Sequence, residues 1–150
     1  MPGIELRSSA FSDHDLMPER LSGLGGNISP PLTWSAVPEG AAELVLVVED
    51  PDAGDPPLLH WLVSGIDPRA TEVPEGSVPP GGTESVNSFG TPGWAGPQPP
   101  KGDSPHRYFF RLHALKGPLP VPDRPDVAWL HRAIADRELA SGTLVGTFAR

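Results

Sequence analysis

Proline and glycine recur so often in this chain that a long helix has almost nowhere to form: 21 Pro and 17 Gly stand among 150 residues. Proline fixes φ and removes a backbone donor, and glycine weakens any regular element it enters, so the pattern favours short strands joined by turns. The same richness borders on low complexity. Apolar runs such as "LVLVVE" and "LLHWLV", with four Trp that need burial, argue instead for a single folded domain over residues 1–150.

Several function classes drop out early. No run approaches the ~20 apolar residues of a membrane-spanning helix. The opening "MPGIELRSSAF" has no basic stretch followed by an apolar one, so no secretory signal is expected. The absence of cysteine excludes disulfides, thiolate zinc sites and cysteine nucleophiles, and suits a cytoplasmic location. A formal charge of −8 argues against nucleic acid as a partner. No Lys or Arg lies between Leu21 and Pro68, although Glu39, Glu43, Glu49, Asp50, Asp52, Asp55 and Asp67 do. A buried carboxylate of this half must find its cation elsewhere in the chain, and Arg107 is a candidate.

Along the chain, residues 4–11 read as a weak strand and 11–32 as irregular, full of breakers. Gly23, Gly25 and Gly26 suggest a phosphate loop, but "NISPPL" follows where a helix opening with Lys-Ser/Thr is needed, so that signal fails. A short strand fits Leu32–Trp34. Residues 43–49, "ELVLVVE", are apolar without alternation, the mark of a strand covered on both faces. Pro51 ends it and leaves Asp50 at its tip. In "PPLLHWLVSGI", strict period 2 places Leu58, His60, Leu62 and Ser64 on one face, and Leu59, Trp61 and Val63 on the other. Residues 67–105 form a long loop, too long to lack a purpose in a compact domain. Then "HRYFFRLHAL" puts His106, Tyr108 and Phe110 on one strand face, and Arg107, Phe109 and Arg111 on the other. "PDVAWLHRAIADREL" reads as the one good helix, capped by Asp126, with Val127, Leu130 and Ile134 on its inner side. Ser141-Gly142 reads as the end of a connection, and "TLVGTF" as a closing strand.

Four segments, "NISPPLTWSAVPEG", "VVEDPDAGDPPLLHWLVSGI", "GWAGPQPPKGDSPHRYFFRLHAL" and "LVGTFAR", together resemble the phosphatidylethanolamine-binding protein family, in particular its short bacterial and archaeal branch, called Raf-kinase-inhibitor-like. The correspondence runs through nearly the whole chain in order. The resemblance implies a mainly β fold: a β-sandwich with a large central antiparallel sheet, a smaller second sheet and one or two short helices. It implies a small cavity that accepts phosphate-like anions or phosphoryl head groups. By position in the motifs, Asp50, His60, Trp94, Gly96, His106 and Tyr108 would bind the ligand. Pro51, Asp52, Pro99, Pro100 and Arg107 would form the scaffold, with Asp52 and Arg107 as an ion pair holding the Asp-Pro-Asp turn. The resemblance also implies regulation of a protein kinase or protease through the pocket rim, and a homodimer. It implies no cofactor and no metal.

The chemistry of these residue types agrees with an anion site. Two imidazoles and a phenol supply donors, a glycine lets its backbone N–H approach closely, and prolines stiffen the rim. Asp50 repels an anion directly, so its expected task is to accept from a histidine N–H and fix its tautomer. The alternative is a hydrolase-type enzyme using Asp50, His60 and His106 as acid and base groups, although no Gly-x-Ser-x-Gly elbow or His-Glu-x-x-His helix is present. A metal site on the two histidines and a carboxylate has no spacing signature behind it. His14, His113 and His131 receive no role. The chain departs from the bacterial branch in lacking its loop cysteines, with Pro97-Gln98 in one of the two places. It also lacks the C-terminal helix of longer eukaryotic members.

Overall fold

The computed structural model describes residues 3–150. In chain order the strands are β1 (Glu5–Arg7), β2 (Asp15–Leu16), β3 (Leu32–Ser35), β4 (Glu43–Asp50), β5 (Leu58–Ile66), β6 (Glu72–Val73), β7 (Thr83–Glu84), β8 (His106–Leu115) and β9 (Glu138–Phe148), with α1 (Val127–Ala135) before the last. They build a six-stranded sheet in the order β2-β9-β8-β4-β5-β7 and a three-stranded sheet in the order β1-β3-β6. All neighbours are antiparallel except β2 and β9. The fold is thus mainly β, as expected, and no helix of the described residues is long and apolar enough to cross a membrane.

β4 lies in the middle of the large sheet, and the sequence says why. Leu44, Leu46 and Val48 enter one core cluster with Trp34, Trp61, Tyr108 and Phe110, which the small sheet covers. Val45 and Val47 enter a second cluster with Leu59, Leu62, Leu130 and Ile134, which α1 covers. A run without alternation is what a strand coated on both faces requires. The helix starts as expected: the Asp126 side chain accepts from the Ala128 amide at 2.8 Å.

Two expectations are corrected. The helix stops at Ala135, and "REL" does not continue it; β9 begins at Glu138, not after Ser141-Gly142. The ten-residue β8 takes a partner along its whole length, from His106↔Phe148 to Leu115↔Glu138. Gly142 sits inside β9 because the chain at Ile4 crosses so closely that a Cβ would strike the Ile4 carbonyl oxygen. It marks a close approach and not a turn. The second correction concerns β5. Val48 pairs with Trp61, and the next residue, Glu49, pairs with Leu59. His60 is therefore the extra residue of a β-bulge. The bulge breaks the strict alternation: Leu59 and Leu62 share the helix-side cluster, whereas Trp61 lies on the same side as Tyr108.

Leu62 is fully buried between the sheet and α1. Leu62→Ala is expected to cost about 2–5 kcal/mol in denaturant unfolding. Leu16→Ala, at a position 65% exposed on the sheet edge, is expected to change stability by less than ~0.5 kcal/mol.

Candidate functional site

The tips of β4, β5 and β8 meet at one end of the large sheet and bring Asp50, His60, His106 and Tyr108 together. Asp50 is 2% exposed, although it ends a strand. Its Oδ2 lies 2.7 Å from His106 Nδ1, and its Oδ1 accepts from the Asp52 amide at 2.8 Å. One carboxylate thus caps the 3-10 turn Pro51–Ala53 and orients an imidazole. The other ring nitrogen of His106, Nε2, faces Asp103 Oδ2 at 3.1 Å. With a carboxylate at each nitrogen, both donate. Burial of His106 works against its charge, but the hydrogen bonds and charges of Asp50 and Asp103 outweigh that, and its pKa is raised.

His60 is the opposite case. Its Nδ1–H donates to the Ala95 carbonyl at 2.6 Å, and its own carbonyl accepts the Ala95 amide at 2.9 Å. Burial lowers its pKa, against the raising effects of Ala95 and Asp50. The ring is neutral near pH 7, and Nε2 carries a lone pair. That atom is fully buried and has no hydrogen-bond partner among the described residues. Orphaned buried polar atoms are uncommon in folded proteins. The ring of Tyr108 stands edge-on to His60, with centroids 5.1 Å apart. Burial and then the Asp50 charge push the Tyr108 phenol well above its usual range, so its hydroxyl stays protonated.

These groups line a cavity of about 60 Å³, together with Ala53, Leu58, Phe89, Gln98, Pro99 and Pro100. This is room for a few waters or one small ion, far below the several hundred Å³ of a drug-sized site. Phe89 closes one side with its ring edge-on to His60 at 5.2 Å, although it is 53% exposed. Buried Asn87 holds the turn that carries it, donating to the Gly93 carbonyl and accepting the Phe89 amide. Phe89, Gln98, Leu58, Ala53 and Asp103 are absent from the sequence-based set. Only Asp103 had a readable signal, since it stands three residues before His106.

Other expected residues lie elsewhere. The Gly96 amide does not open into the cavity; it donates to Asn27 Oδ1 at 2.7 Å. Gly96 is a glycine because a Cβ would collide with the Leu21 carbonyl. Trp94 donates its indole N–H to the same carbonyl at 3.0 Å and packs between Trp61 and Phe110. Both residues clamp the rim from behind. Pro99 and Pro100 do line the cavity, and the Pro51 turn abuts it.

Asp52 and Arg107 form the expected pair. Asp52 accepts from the Arg107 amide at 2.8 Å and from its guanidinium at 2.9 and 3.0 Å, and that guanidinium holds the Asp52 carboxyl below its usual range. The Arg107 side chain is 53% exposed and that of Asp52 28%, so the pair is only partly buried. It fixes geometry more than it stabilises the fold. Among the described residues, no group of three or more His, Asp or Glu is arranged to hold a metal ion.

Comparison with known proteins agrees with this architecture. Residues 7–149 match the family model described as "Phosphatidylethanolamine-binding protein". The UPF0098 protein of Methanothermobacter thermautotrophicus is 37% identical over 152 residues, covering 98% of this chain and 99% of that one. A Mycobacterium tuberculosis protein named "Putative lipoprotein LppC" is 41% identical over 145 residues, covering 97% of this chain and 72% of that one. Among solved structures, Escherichia coli YbcL, described as a new member of the mammalian PEBP family, superposes with a TM-score of 0.91. It is 29% identical, with 99% of each chain covered.

Two predictions follow from the site's geometry. Gly96→Ala should lower the melting temperature clearly, read by calorimetry, because the methyl meets backbone and not a movable side chain. Histidine-selective ¹⁵N NMR should show His106 protonated at both nitrogens above pH 6.5, where His60 carries a proton on Nδ1 alone. The signs for stability are opposed. The raised pKa of His106 contributes stability that is complete below ~6.5 and lost as pH rises through its folded value. The lowered pKa of His60 contributes stability that is complete above ~6.5 and lost as pH falls through its folded value.

Proposed function

Because the chain belongs to the phosphatidylethanolamine-binding protein family, we propose that the cavity at Asp50, His60, His106 and Tyr108 binds a small phosphoryl-type anion, taken up with one proton on a phosphoryl oxygen. The observation that carries this reading is the buried, unpartnered Nε2 of His60. It is an acceptor, so its partner must bring a hydrogen. A singly protonated phosphate donates one hydrogen bond and accepts several, which matches the lone pair of His60 beside the protonated hydroxyl of Tyr108. His106 Nε2–H is a further donor once Asp103, whose side chain is 48% exposed, turns aside. Protonation of His106, which its raised pKa favours, offsets the charge of Asp50, which would otherwise repel the anion. The small cavity suits the phosphoryl group itself, with any substituent directed past Phe89 to the outside.

The ligand's proton sets the pH dependence. A phosphoryl group loses its second proton with a pKa of roughly 6. Affinity for a phosphate monoester such as phosphoethanolamine should therefore be highest in mildly acidic solution and fall as pH rises through neutrality, whereas inorganic phosphate keeps a proton above neutrality and should lose less. Isothermal titration calorimetry with inorganic phosphate and with phosphoethanolamine tests this. His60→Ala and Tyr108→Phe should each weaken binding by about tenfold or more, since a hydrogen bond to a charged group is worth ~1.5–3 kcal/mol. Unchanged affinity in both variants would remove the site assignment, and phosphoethanolamine affinity independent of pH would remove the proton requirement.

A further inference from the structure

The opposite face of the large sheet carries a second cluster of titratable side chains that the pocket does not use. Between β4, β8, α1 and the start of β9 lies a cavity of about 200 Å³, lined by Val47, Glu49, Arg111, His113, His131, Ile134, Ala135 and Glu138. That is more than three times the volume of the cavity at His60.

Glu49 is the anomaly. It occupies a position on β4 that faces the helix layer, in step with Val45 and Val47, yet it is a carboxylate and only 3% exposed. Burying a charge there costs stability unless it is paired. One oxygen, Oε1, has His131 Nε2 at 2.6 Å, from a side chain half in solvent. The other oxygen makes no hydrogen bond with the described residues. His113, 12% exposed at its side chain, lines the same cavity and faces Val45 in register, with Nδ1 3.1 Å from Glu138 Oε1. Burial lowers the pKa of His113, so the ring is neutral near pH 7. Nδ1–H then donates to Glu138, which leaves Nε2 as a second acceptor.

Arg111 supplies the opposite sign. Its guanidinium lies over the Phe109 ring at 4.8 Å and forms no ion pair with the described residues. In register, Arg111 faces Val47, and Glu49 faces Phe109. Arg111 and Glu49 are therefore diagonal neighbours on one face, a relation that separates Cβ atoms by roughly 7–8 Å. They share a cavity without touching. Along this face Arg111 stands between Glu49 and His113 in register, and Val47, Ile134 and Ala135 add apolar lining.

We propose that this cavity binds a small α-amino-acid-type zwitterion, its ammonium on Glu49 and its carboxylate on Arg111. A simple anion would meet two carboxylates, and a simple cation would leave Arg111 unused. A zwitterion with a one-carbon spacer and a short apolar side chain satisfies both ends and fills the space.

The test is a ¹H–¹⁵N NMR titration of the whole protein with L-alanine, with ethylamine and propionate as probes that carry one charge each. L-alanine should produce saturable shifts at Glu49, Arg111, His113 and His131. Ethylamine and propionate should bind at least about tenfold more weakly. Glu49→Gln and Arg111→Met should each lower L-alanine affinity by about tenfold or more, whereas Tyr108→Phe, on the other face, should not change it. If Glu49→Gln fails to fold, Arg111→Met on the more open side decides. The absence of saturable shifts, an equal response to either single-charge probe, or unchanged affinity in folded Arg111→Met would overturn the proposal.

Discussion

The carboxylate of Asp50 is shared between two tasks, and the pocket depends on that sharing. One oxygen closes the turn that ends β4; the other holds the ring of His106 at the start of β8. Two strand ends that would otherwise fray are tied by a short bond that is almost wholly out of water. Because it favours the protonated form of His106, Asp50 also lowers the net negative charge it brings to the site. The acid is thus a structural tie and an electrostatic balance at once, and either task alone would explain why it is buried.

Much of this was legible in the chain. The uninterrupted "ELVLVVE" announced a central strand, and Pro51 behind Asp50 announced where it ends and what stands at its tip. The pairing of His106 and Tyr108 on one strand face needed only period 2. What was not legible depends on long-range register. The bulge at His60 arises where Glu49 pairs with Leu59, a relation between strands that no local pattern encodes. Without it, His60 would sit with Leu62 toward α1. Gly96 read as an open amide because glycine signals close approach without saying to what; the partner, Asn27, lies 69 residues away. Glu49 was only one of the seven acids without a nearby cation, and His113 and His131 received no role, because only the pairing of β4 with β8 and the docking of α1 bring the three to one cavity.

The large sheet therefore carries polar chemistry on both faces, under different rules. On the pocket side, the acids are matched by a histidine that burial fails to neutralise and by a second one that burial does. On the helix side, a carboxylate occupies a place where the pattern of β4 would accept valine. Polar groups in such places lower stability relative to apolar ones of similar size. Their cost is offset by the two apolar clusters that flank β4.

His60 holds Ala95 by both of that residue's backbone groups, the amide through its carbonyl and the carbonyl through its ring. The unpartnered ring nitrogen at the cavity and the ring nitrogen that closes the rim belong to one conjugated system. A hydrogen bond donated to Nε2 draws electron density toward that side and makes Nδ1–H a stronger donor to Ala95. Occupancy and rim closure are thus thermodynamically linked: whatever binds only the closed form must raise the free energy of local opening. Amide hydrogen exchange at Ala95 becomes a remote gauge of occupancy, slowed by a ligand that never touches that amide.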